Sequence, residues 1–477
     1  MSPARRRDHT TAMETAMTRP SRRRSAAPTD PGPRPRTPGR AVARRRGEIT
    51  RRPAALAVVA LLTALAAPEP AAASGFYRFQ HLGRATGQAG AFTARADDPS
   101  ALYYNPAAIT RLDGLQLAGG LDFSNATDEY SSATAGGVSA DHSIQFPPAL
   151  YLTWRGPAAG PWALGIGVDT LYWYRVDWDP VDFPPRFRTR LLELELWQVH
   201  PVVAYELDER WSVGGGVRYL FGGFNQGLNS RVLVPVTNGA PEPAELFVDA
   251  ETSVDGFGFD GAVHYTAQVW GWGAVYRSAV EVEGSDRLRR AVRDQPFSDE
   301  ARERLRAMIA AGNERVRQSV DLPGELSTGV WFAPYPELRL ELDVAWQAWS
   351  NFEQSISVAG DPLAPVAVVQ RGNWDDTLNL RLGLEGDVGD TLTLYGGVAL
   401  EPSPVPSQRV DPGFPRGDAT VYAFGASYHF PQLSFDLGVS RHEHDSVDVR
   451  FQETDPEVPG RYSADDTVWS ASARWRF

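Results

Sequence analysis

The chain has 477 residues, no cysteine, 44 Gly, 11% aromatic residues and a formal net charge of −12. That length admits one large domain or several small ones, and the glycine and aromatic content favours an all-β protein with many turns. Without cysteine there are no disulfides and no thiolate metal sites, yet an oxidising compartment is not excluded.

All 47 basic residues are Arg. Fifteen of them fall in the first 53 residues and five acids precede Ala73, which leaves 32 Arg against 54 carboxylates, a net of −22, in the remainder. An Arg-rich head would suit a nucleic-acid partner if it stayed attached. Here it runs into an apolar stretch at 54–67 (AALAVVALLTALAA), too short to span a bilayer, and then into the small-residue site Ala71-Ala72-Ala73. Residues 1–73 therefore read as a leader and secretory signal peptide that is removed, and no nucleic-acid partner is expected. The leader is long, which points to a translation start further downstream, with a twin-Arg leader as the alternative.

Residues 74–114 are too rich in Gly and Ala for a strong core helix and end in the turn signal Tyr104-Asn105-Pro106-Ala107. The residue before a proline is held extended, and Asn can bond its own backbone, so Asn105 is a natural point of chain reversal.

From residue 115 to Phe477 the pattern changes to alternation with period two. No run of about 18 apolar residues occurs, so helical membrane spans are not expected. In 339–349, Leu340, Leu342, Val344, Trp346 and Ala348 share one face, and Arg339, Glu341, Asp343 and Gln347 the other. Leu378, Leu380, Leu382 and Leu384 alternate with Asn379, Arg381, Gly383 and Glu385, and Leu433, Phe435, Leu437 and Val439 with Ser434, Asp436, Gly438 and Ser440. Strands begin near residues 115, 147, 162, 190, 211, 256, 268, 325, 338, 374, 391, 419, 433 and 464. Fourteen is an even number, which puts both ends of the wall on one side. Short gaps alternate with long ones, and 225–255 and 284–324 are expected as the long extracellular loops.

A soluble β-sandwich would alternate too, with its apolar face turned inward. Three observations favour a membrane barrel: the signal peptide, aromatics near strand ends (Trp154, Trp162, Trp211, Trp270, Tyr428, Trp475), and a last strand with Trp469, Ala471, Ala473, Trp475 and Phe477 on one face. The expected fold is an all-β antiparallel transmembrane β-barrel of about 14 strands, closed because lipid cannot satisfy a free edge.

Catalytic and metal signals are weak. Beyond the leader, His occurs at 81, 142, 200, 264, 429, 442 and 444, none in a nucleophile motif. His442-Glu443-His444 puts two imidazoles on one strand face but brings no further ligand. No enzyme activity, metal or cofactor is expected.

Gly75-Phe76, Gly83-Arg84-Ala85, Ala96-Asp97-Asp98 and Asn105-Pro106-Ala107, placed between a signal peptide and the first strand, closely resemble the N-terminal hatch of the FadL family of long-chain fatty-acid and hydrocarbon transporters. Residues 272–278 (WGAVYRS), Trp349-Ser350 and 402–406 (PSPVP) also resemble that family, so the likeness spans the mature chain. It implies an outer-membrane barrel of fourteen strands with residues 74–114 as a hatch inside the lumen, and passive uptake of an apolar molecule. The route implied is an outer groove, a lumenal pocket and a lateral opening at a kink in the third strand. The gating residues would be Gly75, Phe76, Gly83, Arg84, Asp97, Asp98, Asn105, Pro106 and Ala107, and the kink Gly165, Gly167, Asp169 and Thr170. Leu233, Val234, Leu246, Phe247, Leu305, Met308 and Ile309 are apolar residues of the two long loops and candidates for the groove. Arg218, Arg277 and Arg381 lie on polar faces and are candidates for a fatty-acid carboxylate, with Glu341 and Glu385 as competing partners. The expected partners are a long-chain fatty acid or another hydrophobic small molecule, outer-membrane lipid, and the barrel-assembly machinery through the terminal Phe477, with the barrel a monomer. The alternatives are aromatic or aliphatic hydrocarbon uptake by the same route, and a plugged structural or adhesin-like barrel.

Overall fold

The alternation of lipid-facing and lumen-facing residues runs around a closed wall of fourteen antiparallel strands. In the computed structural model the described residues are 80–133, 136–141, 144–157, 160–179, 181, 183–293, 295–311, 315–358, 368–449 and 459–477. The leader 1–73, Gly75, Phe76 and His142 lie outside them.

The strands are β1 Gly114–Ser132; β2 in three pieces, Gly136–Ser139, Ile144–Gln145 and Pro148–Arg155; β3 Trp162–Asp177; β4 Leu191–Glu206; β5 Trp211–Val234; and β6 Glu242–Thr266. Interruptions split several of the rest: β7 Trp270–Arg277 and Val280–Val292; β8 Arg315–Leu322 and Glu325–Tyr335; β9 Leu338–Gln347 and Glu353–Val358; β10 Val368–Arg371 and Thr377–Val388. The circle continues with β11 Leu392–Glu401, β12 Ala419–His429, β13 Leu433–His444 and Val447–Val449, and β14 Gly460–Arg476. β14 returns to β1 in register from Gln116↔Arg476 to Ser131↔Arg461, and this ladder closes the wall.

The faces follow the sequence pattern. On β9, Leu342 and Trp346 are 53% and 41% exposed, whereas Glu341, Asp343 and Gln347 are buried toward the lumen. The order is that of a barrel in lipid, apolar outside and polar inside. Short turns join strands at the end that holds Gly114 and Phe477, and longer connections lie at the other, which is the extracellular end of a bacterial barrel.

Two expectations are corrected. Residues 225–255 are not a loop: β5 and β6 pair without a break from Trp211↔Tyr265 to Val234↔Glu242, leaving only 235–241 to turn the chain. The cause is that the apolar residues there keep period two, so Val232 pairs with Ala244 in the ladder and Val234 packs with Ala244 and Leu246 on the same face. Likewise 284–324 holds the outer part of β7, a helix α1 (Asp299–Ala311) and the start of β8. Helix α1 begins where the Ser298 Oγ accepts from the Ala301 amide at 3.2 Å, with Asp299 and Glu300 in its first turn. Its Ala301 and Leu305 pack with Val234, Ala244 and Leu246 into a small core of their own.

Residues 80–112 fill the lumen. Nearly all of them are buried, including Phe92, Leu102, Asn105 and Ile109 at 0% exposure. Small residues permit this: a Cβ on Gly83 would lie 2.7 Å from the Asp436 carbonyl oxygen, so the hatch backbone rests directly on the wall of β13.

Candidate functional site: a plugged lumen under an aromatic chamber

The hatch is bound to the wall by charge and by backbone. Arg84 reaches Glu385 of β10 at 2.8 Å, Asp97 at 2.7 Å and Asp98 at 3.3 Å. Arg95 reaches the same Glu385 at 2.6 Å, and Arg339 of β9 adds a third guanidinium at 2.9 Å. Against the penalty of enclosure in the lumen, Arg84 and Arg95 hold the Asp97 carboxyl well below the usual carboxylate range. Arg474 of β14 closes the network, 2.7 Å from Asp436 and 3.8 Å from Asp98.

Two wall carboxylates hold the hatch main chain. Asp343 Oδ2 accepts from the amides of Phe92 (2.9 Å) and Thr93 (2.8 Å), and Glu341 Oε1 from Ala94 (2.6 Å) and Arg95 (3.2 Å). Asn105 supplies the reversal expected of it: its Oδ1 accepts from the Ala107 amide at 3.2 Å, and its Nδ2 donates to the carbonyls of Thr93 (3.0 Å) and, across to β6, Val263 (3.2 Å). Pro106 then opens a 3-10 turn, Pro106–Arg111, and Ser212 of β5 donates to the Ala107 carbonyl at 2.9 Å. Of the hatch residues expected from sequence, Gly83, Arg84, Asp97, Asp98, Asn105, Pro106 and Ala107 thus share one interface with the wall.

The third strand breaks its register. β3 pairs with β4 from Trp162↔Tyr205 to Asp177↔Leu191, but the register slips between Thr170 and Tyr172, where Leu171 has no opposite residue. One extra residue flips every side chain beyond it. Before the bulge Ala163 and Asp169 face the lumen; after it Tyr172, Tyr174 and Val176 do, and all are buried. Gly165 and Gly167, expected at the kink, lie in regular ladder, where a Cβ on either would collide with Leu102 of the hatch or with Tyr151. Asp169 and Thr170 do adjoin the irregularity.

The other edge of β3 is partly open. β2 pairs with it only from Trp154↔Leu164 to Leu150↔Val168, and the outer pieces of β2 turn to β1 instead. Along residues 169–176 no ladder joins β2 to β3 among the described residues. The contacts there include Thr170 Oγ1 to the Pro148 carbonyl at 3.4 Å and the Asp141 amide to the Asp177 carbonyl at 2.8 Å.

Above the hatch the lumen becomes apolar. Leu192, Leu194 and Leu196 of β4 face in beside Tyr172, Tyr174 and Trp178, and Tyr130, Phe183, Trp349, Phe352, Trp374 and Tyr462 join them in one continuous cluster. Phe352 stacks on Trp374 at 4.0 Å and 10°, and Trp178 on Phe183 at 4.4 Å and 10°. The wall has reversed its polarity at this height, since Glu193 of β4 now pairs outside with Arg175 of β3 at 2.9 Å. The resemblance implied a lumenal pocket, but the residues of this packed cluster were not named as its lining from the sequence. Its signal was the run LLELEL at 191–196, where leucines occupy the face that carries Gln198 and His200 lower down.

Below the chamber a polar chain runs beside the bulge. Tyr151 donates to Asp169 at 3.2 Å, Gln198 donates to both Asp169 oxygens at 3.1 Å, and Arg218 Nε donates to Gln198 at 3.1 Å. Among the three candidate arginines, Arg277 is bound to Glu325 and to the Tyr103 carbonyl, and Arg381 stands in register with Asp343. Of the groove candidates, Val234, Leu246 and Leu305 are buried against one another and Ile309 packs beside them, whereas Leu233 is 66% exposed.

A plug held by buried ion pairs inside a wall of fourteen strands places the chain among known proteins. The sequence matches the outer membrane protein transport protein family (OMPP1/FadL/TodX) over residues 63–477. The chain belongs to this family. Like other OMPP1/FadL/TodX proteins it is a multi-pass barrel of the bacterial outer membrane. The long-chain fatty acid transport protein of Shigella flexneri is 22% identical over 419 residues, covering 81% of this chain and 90% of that protein. That of Salmonella typhi is 23% identical over 410 residues, covering 81% and 89%. Among solved structures, a FadL homologue of Pseudomonas aeruginosa superposes with a TM-score of 0.72 at 19% identity, over 85% of this chain and all of the other. The toluene transporter TbuX of Ralstonia pickettii gives 0.60 at 16% identity, over 83% and 98%. At these identities the superpositions speak for the fold.

Proposed function

We propose that this barrel admits hydrophobic small molecules from outside, long-chain fatty acids foremost, and releases them sideways into the outer membrane by passive diffusion. The observation that carries the reading is the juxtaposition of a lumen-facing aromatic and leucine chamber with the edge of β3 that lacks a ladder to β2. An apolar ligand is held in that chamber by the burial of its surface, at about 25 cal/mol per Å². The hatch closes the direct way down, through Gly83, Arg84, Asp97, Asp98, Asn105, Pro106 and Ala107. The exit is the seam beside Asp169, Thr170 and Leu171. Leu233, Phe247 and Met308 are the outer surface at which ligand first docks. Arg218, linked through Gln198 to Asp169 beside the bulge, is the cation offered to a fatty-acid carboxylate on this path. Phe477, 62% exposed and stacked on Trp475 at 5.4 Å, is the mark read by the assembly machinery, and the barrel works as a monomer.

Aromatic hydrocarbons are the second reading, and the ring faces and edges of Trp374, Phe352 and Tyr174 favour it. Uptake of labelled oleate and labelled toluene by cells with and without the gene tests both. Gene-dependent uptake that survives an uncoupler is expected. Unchanged uptake of both compounds, with no apolar ligand co-purifying from detergent-extracted protein, would sink the reading.

A further inference from the structure

The connection between β11 and β12, residues 402–418, does not stand out in water as a long outer connection usually does. It folds into the mouth of the barrel: Val405, Val410 and Asp411 are buried. Its backbone is held by side chains that belong to other strands. Trp178 Nε1 donates to the Pro412 carbonyl at 2.8 Å, and the Tyr174 hydroxyl donates to the Gly413 carbonyl at 2.9 Å. Asp411 accepts from Thr189 Oγ1 at 2.8 Å and from Arg188, and Arg416 grips Asp128 of β1 with two bonds of 2.9 Å.

The tip of this connection is Phe414. Its ring stacks on Tyr174 at 5.9 Å and 21°, meets Trp374 edge to face at 4.9 Å and 87°, and meets Phe352 the same way at 6.0 Å and 88°. These are the arrangements aromatic rings prefer, so three wall side chains form a box already filled by a ring from the protein itself. Tyr174 and Trp178 belong to the stretch of β3 and its continuation that follows the Leu171 bulge and lacks a ladder to β2.

We propose that residues 402–418 are a lid, and that Phe414 occupies the place an entering apolar ligand takes, so that ligand and Phe414 exclude one another. Two of the bonds that hold the lid down come from Tyr174 and Trp178, so lifting the lid frees the edge of β3 beside the seam while its ladder to β4 stays intact. The proposal rests on the uptake reading above for what the ligand is, but the movement itself is testable without it.

The chain has no cysteine, so a reversible lock is available. A Cβ built on Gly413 lies 3.0 Å from Thr189 Cγ2, within reach of a disulfide. In the full chain carrying Thr189→Cys and Gly413→Cys, formation of the disulfide is followed by mass spectrometry, and two readouts are taken. The first is binding of the fluorescent apolar probe N-phenyl-1-naphthylamine by detergent-solubilised protein; the second is oleate and toluene entry into proteoliposomes. The oxidised form is expected to bind and transport at least tenfold less than the reduced form, with recovery on adding reductant. Phe414→Ala, which empties the box, is expected to bind the probe several-fold more tightly than the parent. Equal probe binding in the oxidised and reduced forms, with the disulfide confirmed, overturns the lid. Weaker probe binding by Phe414→Ala in a barrel that remains folded overturns the exchange of ring for ligand. A parent that binds the probe but moves neither oleate nor toluene counts against the uptake reading and leaves the lid standing on the probe result.

Discussion

Arg84 of the hatch donates to Glu385 of β10 across 2.8 Å, although 301 positions separate them in sequence. Glu385 is 4% exposed and also meets Arg95 and Arg339, so three guanidinium groups converge on one carboxylate, with Asp97, Asp98 and Asp387 sharing the balance of charge. Removing one side of a buried ion pair leaves an uncompensated charge and costs about 3 to 5 kcal/mol. Glu385→Ala is therefore expected to loosen residues 80–112 while the strands stay formed. Hydrogen exchange in the hatch should quicken by about a hundredfold or more, with the exchange of β12 and β13 unchanged. Equal protection in both proteins would show that Glu385 does not anchor the plug.

Asn105 makes a smaller but more local contribution. Asn105→Ala strands the Thr93 and Val263 carbonyls and the Ala107 amide in a fully buried place, at about 1 to 3 kcal/mol. Exchange should rise at Ala107 and Ala108 and in the hatch segment around Thr93, by about tenfold. Asn105→Asp should cost more, because it places an unpaired buried carboxylate charge against the Thr93 and Val263 carbonyl oxygens.

Deleting Leu171 removes the extra residue of the bulge. Period two then runs unbroken from Asp169 through Thr170 to Tyr172, so Tyr172, Tyr174 and Val176 keep the lumen face and their pairing with β4. Tyr174→Cys should resist an aqueous maleimide both alone and combined with the deletion, because position 174 stays beside Leu194 on the lumen face. Labelling that quickens about tenfold or more on deletion would mean that the outer half of β3 has shifted register against β4.

The base of the lid carries a pH-sensitive group. Burial raises the Asp418 carboxyl, the Ser403 amide lowers it, and Asp445 raises it again, to about 6 in all. The folded value lies above the ordinary aspartate range, so the stability it contributes is complete below that range and is lost as pH rises through about 6. Arg416, the neighbouring cation, is engaged by Asp128. A spin label at Gln408→Cys should therefore be more mobile at pH 7 than at pH 5. In the Asp418→Asn background that difference should vanish; its persistence would assign the titration to another group.

The barrel was legible in the sequence because each strand must present one face to lipid and one to the lumen. That demand makes Leu340, Leu342 and Trp346 alternate with Glu341, Asp343 and Gln347, and it places most strand starts to within a few residues, although β2, β6 and β8 begin ten or more residues earlier than expected, at Gly136, Glu242 and Arg315. The hatch was legible through Asn105-Pro106-Ala107 and Gly83-Arg84, where chain reversal and close backbone contact restrict the residue types. The outer part was not. Leu233, Val234, Leu246 and Phe247 looked like an exposed apolar loop because nothing local says that α1, some 55 residues on, covers the Val234 and Leu246 face. Gly165 and Gly167 looked like a kink, but glycine also marks where another side chain crowds the backbone, as Leu102 and Tyr151 do there. The true irregularity, at Leu171, has no compositional mark at all, because a bulge is defined by the partner strand. The folded-in position of Phe414 depends likewise on Trp178 and Tyr174, more than 230 positions away.

The ladder between β1 and β14 pairs Gln116 with Arg476 and Ser131 with Arg461. The seam that shuts the cylinder thus joins residues some 330 to 360 positions apart, and residues 80–112 lie enclosed by it. Contacts of such sequence separation form slowly. The hatch must be docked before the final seam zips, because a sealed cylinder leaves only its two mouths for entry. An assembly defect in Arg84 or Asn105 would then appear as a finished barrel with a misplaced or absent stopper, permeable to solutes it should exclude, and not as an unfolded polypeptide.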